Sequence, residues 1–297
     1  MKQKTSIKLI KKIRLPTSIT QFLVLLQDGR LAVGIEGLVY IYNLIDYKCE
    51  LIFDFSHYFS REFNICQLSS GKLIGWCDIQ VMFWTITNNS YNYEYFGDKA
   101  AIDLIEINNN VIVIATGRHE LLFINSNPPY NTIRTLYFHR GIGQILYKVK
   151  SYDDVFLCYN GEQSTVGFFD SNTHEIFDVW EGIEGATKWS LVELNNNKLS
   201  LGTLILKIYV FDLENFEVEA IISFRKLSPI SSVIKLDDGR PLYGTYYGSY
   251  ILVEENFKVA HIIQSPKKYR IRAIIKYKKN VYISMDGSNL NILEIKK

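Results

Sequence analysis

Five histidines (His57, His119, His139, His174 and His261) and four cysteines (Cys49, Cys66, Cys77 and Cys158) are the side chains of this 297-residue chain best suited to ligate a metal or to take part in nucleophilic chemistry. Their spacing supports neither role. No His pair brackets a Glu as a helical zinc site requires, and no Cys pair has the short separation of a zinc or redox motif. The chain has no Gly-x-Ser-x-Gly elbow and no phosphate-cradling glycine loop. Adjacent acids occur at Asp153-Asp154, Asp237-Asp238 and Glu254-Glu255, positions that read as turns or strand ends, where a solvated carboxylate is ordinary. No catalytic residue, metal ligand or cofactor is therefore assigned, and the chain reads as a non-enzyme. Cations and aromatics remain, the residue types that dominate contact hot spots and grip acidic groups.

The elements that must carry these residues follow from a repeat. An apolar segment ending in an aromatic or aliphatic pair recurs seven times, and its last residues are Asn43, Thr85, Asn125, Asp170, Asp212, Glu254 and Glu294, spaced 40 to 45 positions apart. Each unit reads as four short strands, a to d, with Gly, Asn or Asp at the a–b turn, as in Gln27-Asp28-Gly29-Arg30 and Asp237-Asp238-Gly239-Arg240. A period near forty with four strands per unit predicts an all-β, seven-bladed β-propeller of four-stranded antiparallel blades. The repeats tile residues 1–297 without a linker, so one domain is expected. The last repeat stops after strand c, and an orphan strand, Ser6 to Ile13, precedes the first. The N-terminal strand is therefore expected to complete blade 7, leaving no open edge. Small residues recur on strand b (Gly34, Gly75, Ala115, Gly202, Gly244 and Ser284), where blades should approach closely.

Composition narrows the setting. A net charge of +2 gives no global field toward nucleic acid, and no apolar run is long enough to cross a membrane. The basic N-terminus lacks the apolar stretch of a secretory signal, and the scattered cysteines read as buried, reduced thiols. Together these predict an intracellular protein, cytoplasmic, with the nucleus as the alternative, and without stable membrane insertion.

In a propeller the d–a and b–c loops gather at one end of the blades. On this chain they bring Arg14, Arg61, Arg118, His139, Arg140, Trp189, Arg225, Tyr247, Lys268 and Arg270 to that end, with Glu36, Glu184 and Asp286 among the acidic counterweights. These residues are the expected contacts for a protein or peptide partner. The first reading is a protein-interaction scaffold. A second is a binder of a phosphorylated lipid or small acidic ligand through the basic sector of blades 5 to 7. A hydrolase or lyase with its site at the channel mouth ranks third.

Blade 2 carries a family resemblance. His57 in the entering loop, Asp78 in the b–c gap and Trp84 on strand c are similar to the hydrogen-bonded His, Asp and Trp of WD40 repeats. The chain resembles a divergent WD40-repeat protein over its whole length in period and in blade 2 in detail. The resemblance implies a structural role for His57, Asp78 and Trp84, with the carboxylate holding the imidazole. Elsewhere the Trp-Asp dipeptide becomes Tyr42-Asn43, Phe169-Asp170, Phe211-Asp212, Val253-Glu254 and Leu293-Glu294. The segment Phe224-Arg225-Lys226 resembles the paired-arginine motif of phosphoinositide-binding propellers, with Lys226 and Leu227 where those have Arg and Gly.

Overall fold

A computed structural model describes residues 6–16, 20–57, 63–77, 81–87, 90–97, 100–108, 110–137, 145–152, 154–161, 164–223, 228–264 and 269–296. These residues form 28 strands in seven antiparallel sheets of four. The N-terminal strand is β1 (Ser6–Arg14). Blade 1 comprises β2 (Thr20–Leu25), β3 (Leu31–Ile35), β4 (Leu38–Tyr42) and β5 (Cys49–Asp54); blade 2 comprises β6 (Phe63–Gln67), β7 (Leu73–Cys77), β8 (Val81–Thr87) and β9 (Ser90–Gly97). Blade 3 is β10 (Ala101–Asn108), β11 (Val111–Thr116), β12 (Glu120–Asn125) and β13 (Thr132–Tyr137). Blade 4 is β14 (Ile145–Lys148), β15 (Val155–Asn160), β16 (Thr165–Asp170) and β17 (Ile176–Trp180). Blade 5 is β18 (Ala186–Glu193), β19 (Lys198–Thr203), β20 (Lys207–Asp212) and β21 (Glu217–Ser223). Blade 6 is β22 (Ile230–Lys235), β23 (Pro241–Thr245), β24 (Ser249–Val253) and β25 (Val259–Gln264). Blade 7 contains β26 (Ile271–Lys278), β27 (Val281–Asp286) and β28 (Asn289–Lys296), and its fourth strand is β1. The fold is the seven-bladed β-propeller that the repeat predicts, with the N-terminal strand completing the last blade.

The turns show why these sequences form these strands. In Leu26-Gln27-Asp28-Gly29-Arg30 the Leu26 N–H donates to Arg30 O at 2.8 Å and the Gly29 N–H to Leu26 O at 2.9 Å. The Asp28 carboxylate accepts from the Arg30 side chain at 2.7 Å. Leu236-Asp237-Asp238-Gly239-Arg240 repeats this arrangement, with Arg240 donating to Asp238 at 2.8 Å. Each glycine adopts a positive φ that other residues avoid.

By packing the chain divides into two compact units, Leu26–Glu184 and Met1–Leu25 with Gly185–Lys297. In the first unit, adjacent sheets share apolar layers. Ile74, Trp76 and Phe83 of blade 2 meet Ile112, Ile114 and Leu122 of blade 3, and Phe83 stacks on Tyr130 at 4.1 Å between ring centroids. Phe123 of blade 3 joins Phe156 and Phe169 of blade 4 in the next layer. Polar ties cross the same seams. The Ser69 N–H and Oγ donate to Glu106 at 2.7 and 2.8 Å. The wholly buried Asp103 carboxylate accepts the Leu104 and Leu146 N–H groups, each at 2.8 Å.

The second unit holds blades 5 to 7. Two buried hydroxyl pairs link its sheets: Ser200 with Tyr243, and Tyr250 with Ser284, each at 2.5 Å between oxygens. Burial pushes both tyrosines far above their ordinary ionisation range, so they act as neutral hydrogen-bonding groups. The small residues on strand b are needed for contact between blades. A Cβ at Gly202 would fall on the Ile230 side chain of blade 6, and one at Gly244 on Ser232 and on Ile271 of blade 7.

In blade 7, β1 pairs antiparallel with β28, setting Ile7 opposite Ile295, Leu9 opposite Leu293 and Ile13 opposite Leu290, with a bulge between Leu9 and Lys11. Ile7 packs with Leu293, Ile295 and Leu252 of blade 6. A carboxylate ties the a–b turn of blade 6 to blade 7. Asp237 accepts the Asn280 N–H at 2.6 Å and the Tyr282 hydroxyl at 3.1 Å, and pairs with Lys276. The hydrogen bond from Lys276, followed by that from Asn280, holds this carboxyl below its ordinary range. Its stabilising effect is complete at neutral pH, above the unfolded value of about 3.9, and fades as pH falls through the lower folded value. Asp237→Asn should lower stability at pH 7 and flatten its loss on acidification, as followed by urea denaturation at several pH values. Removing residues 1–14 should strip β28 of its partner, lower the thermal midpoint and promote aggregation; an unchanged midpoint by calorimetry would show the strand to be dispensable.

Candidate functional site

Within the unit holding blades 5 to 7, the b–c turn of blade 6 is fixed by hydrogen bonds from its N–H groups to the segment before β22 and to the Thr245 side chain. The Tyr246 N–H donates to Pro229 O at 3.0 Å, the Tyr247 N–H to Ser228 Oγ at 2.9 Å, and the Ser249 N–H to Thr245 Oγ1 at 2.9 Å. The turn presents two tyrosines differently. The Tyr246 ring lies under the Arg270 guanidinium, 3.9 Å from the ring centroid, whereas Tyr247 is 65% exposed. The backbone after Arg270 is fixed by blade 6, since Ile271 O accepts Ser231 Oγ at 2.7 Å and Ser232 Oγ at 3.0 Å.

Burial lowers the Arg270 pKa below its ordinary value, and the neighbouring Arg272 adds to the effect while Tyr246 opposes it. The guanidinium stays charged, since the ordinary value lies far above neutral pH. Its Nε is buried and has no hydrogen-bond partner among the described residues. The adjoining Tyr269 is 48% exposed and packs on Gly287, where a Cβ would stand 3.1 Å from the tyrosine Cγ. Beyond Gly287, Leu15 N–H donates to Ser288 O at 2.7 Å, and Arg14, paired opposite Asn289, is exposed. A continuous series of contacts thus runs from Tyr247 and Tyr246 through Arg270 and Tyr269 to the β27–β28 turn and Arg14.

Asp286 closes that turn from beneath. It is buried, and its carboxylate accepts Asn289 Nδ2 at 2.8 Å and Asn291 Nδ2 at 2.7 Å. Asp286 is one of the acidic counterweights expected at the loop end, and both of its carboxylate oxygens are bonded inside the blade. Blade 5 contributes residues that the sequence reading passed over. Leu204 and Ile205 in its b–c turn are 41% and 39% exposed, with Leu204 N–H bonded to Gly185 O at 2.7 Å. Two aliphatics placed inside a turn, Gly202-Thr203-Leu204-Ile205-Leu206, were the available signal. Trp189 lies half-buried on β18, next to the buried Ser190, whose hydroxyl donates to Gly202 O at 2.6 Å.

Arg118 belongs to the other unit. It is exposed in the β11–β12 turn, where its N–H meets Thr116 Oγ1 at 3.2 Å. Arg61, His139, Arg140, Arg225 and Lys268 lie outside the described residues, as does Asp78. His57 is exposed beside Asp54, whose carboxylate accepts the Ser56 hydroxyl at 2.6 Å and N–H at 2.9 Å. Trp84 is buried, stacks on Phe55 with centroids 4.6 Å apart, and lies so close to Gly75 that a Cβ there would strike its ring. Cys77 and Cys158 are buried, but Cys49 is exposed on β5, a correction to the expectation of buried thiols throughout.

The fold and this arrangement define a seven-bladed β-propeller with an aromatic and basic loop sector. Among solved structures the chain is similar to the β-propeller domain of Cps50 (Swd1) from Myceliophteria thermophila, with a TM-score of 0.77 and 14% identity over 98% of this chain and 100% of that one. At that identity the likeness shows the fold alone. No protein-family model matches the chain, and no curated protein matches it. Replacing Tyr246 by Leu should remove the cation–π contact, lowering stability by about 0.5–2 kcal/mol and raising the mobility of the Arg270 side chain; chemical denaturation and side-chain NMR of arginine check both.

Proposed function

We propose that the protein is a non-catalytic interaction scaffold that binds a segment of a protein partner on the loop sector of blades 5 to 7. The observation that carries this reading is the pairing of exposed Tyr247, Tyr269, Leu204 and Ile205 with turns that are themselves tightly hydrogen-bonded. Large side chains held on rigid backbone lose little entropy on binding, and tyrosine and arginine carry much of the affinity in measured interfaces. Arg14 and Arg270 give the sector a positive bias, which suits a segment with acidic residues beside apolar ones.

A second reading, a ligand bearing phosphate, draws on the buried Arg270 Nε, a donor with no described partner. The proposed compartment is the cytoplasm, with the nucleus as the alternative; among the described residues no helix is long and apolar enough to cross a membrane.

Partners recovered by proximity labelling with the wild-type protein should be lost with Tyr247→Ser combined with Tyr269→Ser. They should be kept with Ile45→Ser, which alters an exposed aliphatic in the c–d turn of blade 1, a residue of the other unit. An identical partner set for all three proteins would contradict the assignment. Direct titration of the recovered partner should show a loss of roughly tenfold or more for the double variant, as expected for two hot-spot tyrosines.

A further inference from the structure

Blade 7 is charged out of proportion to the chain. Residues 6–14 and 269–296 hold ten Lys and Arg and two acids, Asp286 and Glu294, in a protein whose net charge is +2. Neither acid faces a partner freely: Asp286 is bonded to Asn289 and Asn291, and Glu294 pairs with Lys296 at 3.1 Å. The imbalance is sharpest on the outermost strand. β1 contains Lys8, Lys11, Lys12 and Arg14 and no acid, and all four are exposed.

Lysines on an edge strand commonly serve only to block pairing with other chains. The other blades argue against that explanation here. Their outermost strands, β5, β9, β13, β17, β21 and β25, contain one cation, Arg134, and six acids. Six edges therefore manage without a lysine, and the seventh has a cation at nearly every second position.

Two aliphatic residues stand among these cations. Leu9 and Ile10 are 50% and 47% exposed, at the bulge between Lys8 and Lys11. The bulge breaks the regular ladder, which makes β1 a poor template for a strand added by another protein. β1 also has no aromatic on which a nucleobase could stack. Cations flanking a protruding aliphatic pair suit a surface that needs no register: the boundary between acidic headgroups and acyl chains.

We propose that the β1 edge of blade 7 is a peripheral docking surface for an anionic lipid bilayer, with Lys8, Lys12 and Arg14 meeting acidic headgroups and Leu9 and Ile10 entering the interface. Arg14 is common to this edge and the loop sector, but Lys8, Leu9, Ile10 and Lys12 belong to the edge alone, so variants at those four residues test this assignment independently of the other.

The full chain is sedimented with vesicles of phosphatidylcholine alone or with about one third phosphatidylserine, at about 0.1 M salt, where screening leaves surface attraction intact. Binding is expected with phosphatidylserine and not without it, and should vanish at about 1 M salt. Lys8→Gln with Lys12→Gln should weaken it about 25-fold, each neutralised cation being worth about fivefold, and Lys8→Glu with Lys12→Glu should weaken it further. Leu9→Ser with Ile10→Ser should weaken it several-fold, and Tyr247→Ser should leave it unchanged. Circular dichroism melts confirm that each variant is folded. Equal sedimentation with both vesicle types would overturn the proposal, as would folded charge variants that bind like the wild type. So would capture of a polyglutamate peptide by a protein that ignores the vesicles, a result that would assign the edge to an acidic protein.

Discussion

The pairing of β1 with β28 is the constraint on which blade 7 depends. Without it β28 would be an outermost strand, and its Leu290, Ile292, Leu293 and Ile295, all buried, would lie along an unprotected edge. Ile7 would also leave the apolar layer that it shares with Leu252 of blade 6. A sheet assembled from segments nearly three hundred residues apart is costly in chain entropy, but closure entropy grows only with the logarithm of loop length. The apolar pairs along β1 and β28 offset that cost, and the geometry of the β27–β28 turn, with Tyr269 and Arg14 beside it, follows from the same pairing.

Packing between blades is the second level of organisation. The seams combine apolar layers with polar ties, buried ones such as Ser200 to Tyr243, Tyr250 to Ser284 and Asp103 to Leu146, and the exposed pair Ser69 to Glu106. A net worth of about 0.5–1.5 kcal/mol per hydrogen bond makes each tie modest, but an unmet buried hydroxyl would cost more than the bond supplies. The ties therefore specify how neighbouring sheets must register, while the apolar layers supply most of the stabilisation. Rigid seams are in turn what allow the b–c and d–a turns to hold tyrosine, leucine and arginine in fixed positions.

The blade count and the completion of blade 7 were legible in the sequence because they rest on a repeat, which averages local uncertainty over seven copies. The Asp-Gly-Arg turns were legible because glycine's backbone freedom is a local property. Burial of single polar residues was not. The burial of Asp286 depends on Asn289 and Asn291, which only the path of the turn brings to its carboxylate. The exposure of Leu204 and Ile205 depends on the same kind of information, because an aliphatic residue type does not by itself say which side of a turn it faces. Arg270 was named for its charge, but its position over Tyr246 depends on a contact between blades that no spacing rule contains. The bias of β1 toward lysine was visible as composition and acquired meaning only when the strand proved to be an edge.

The central claim is that β1 is an integral strand of blade 7. Native-state amide hydrogen exchange tests it directly, since protection of a strand reports whether it opens alone or with the whole fold. The bonded amides of β1 and β28 should exchange as slowly as those of β27 and with the same dependence on denaturant. Rapid exchange of β1 at low denaturant, with β28 still protected, would contradict it.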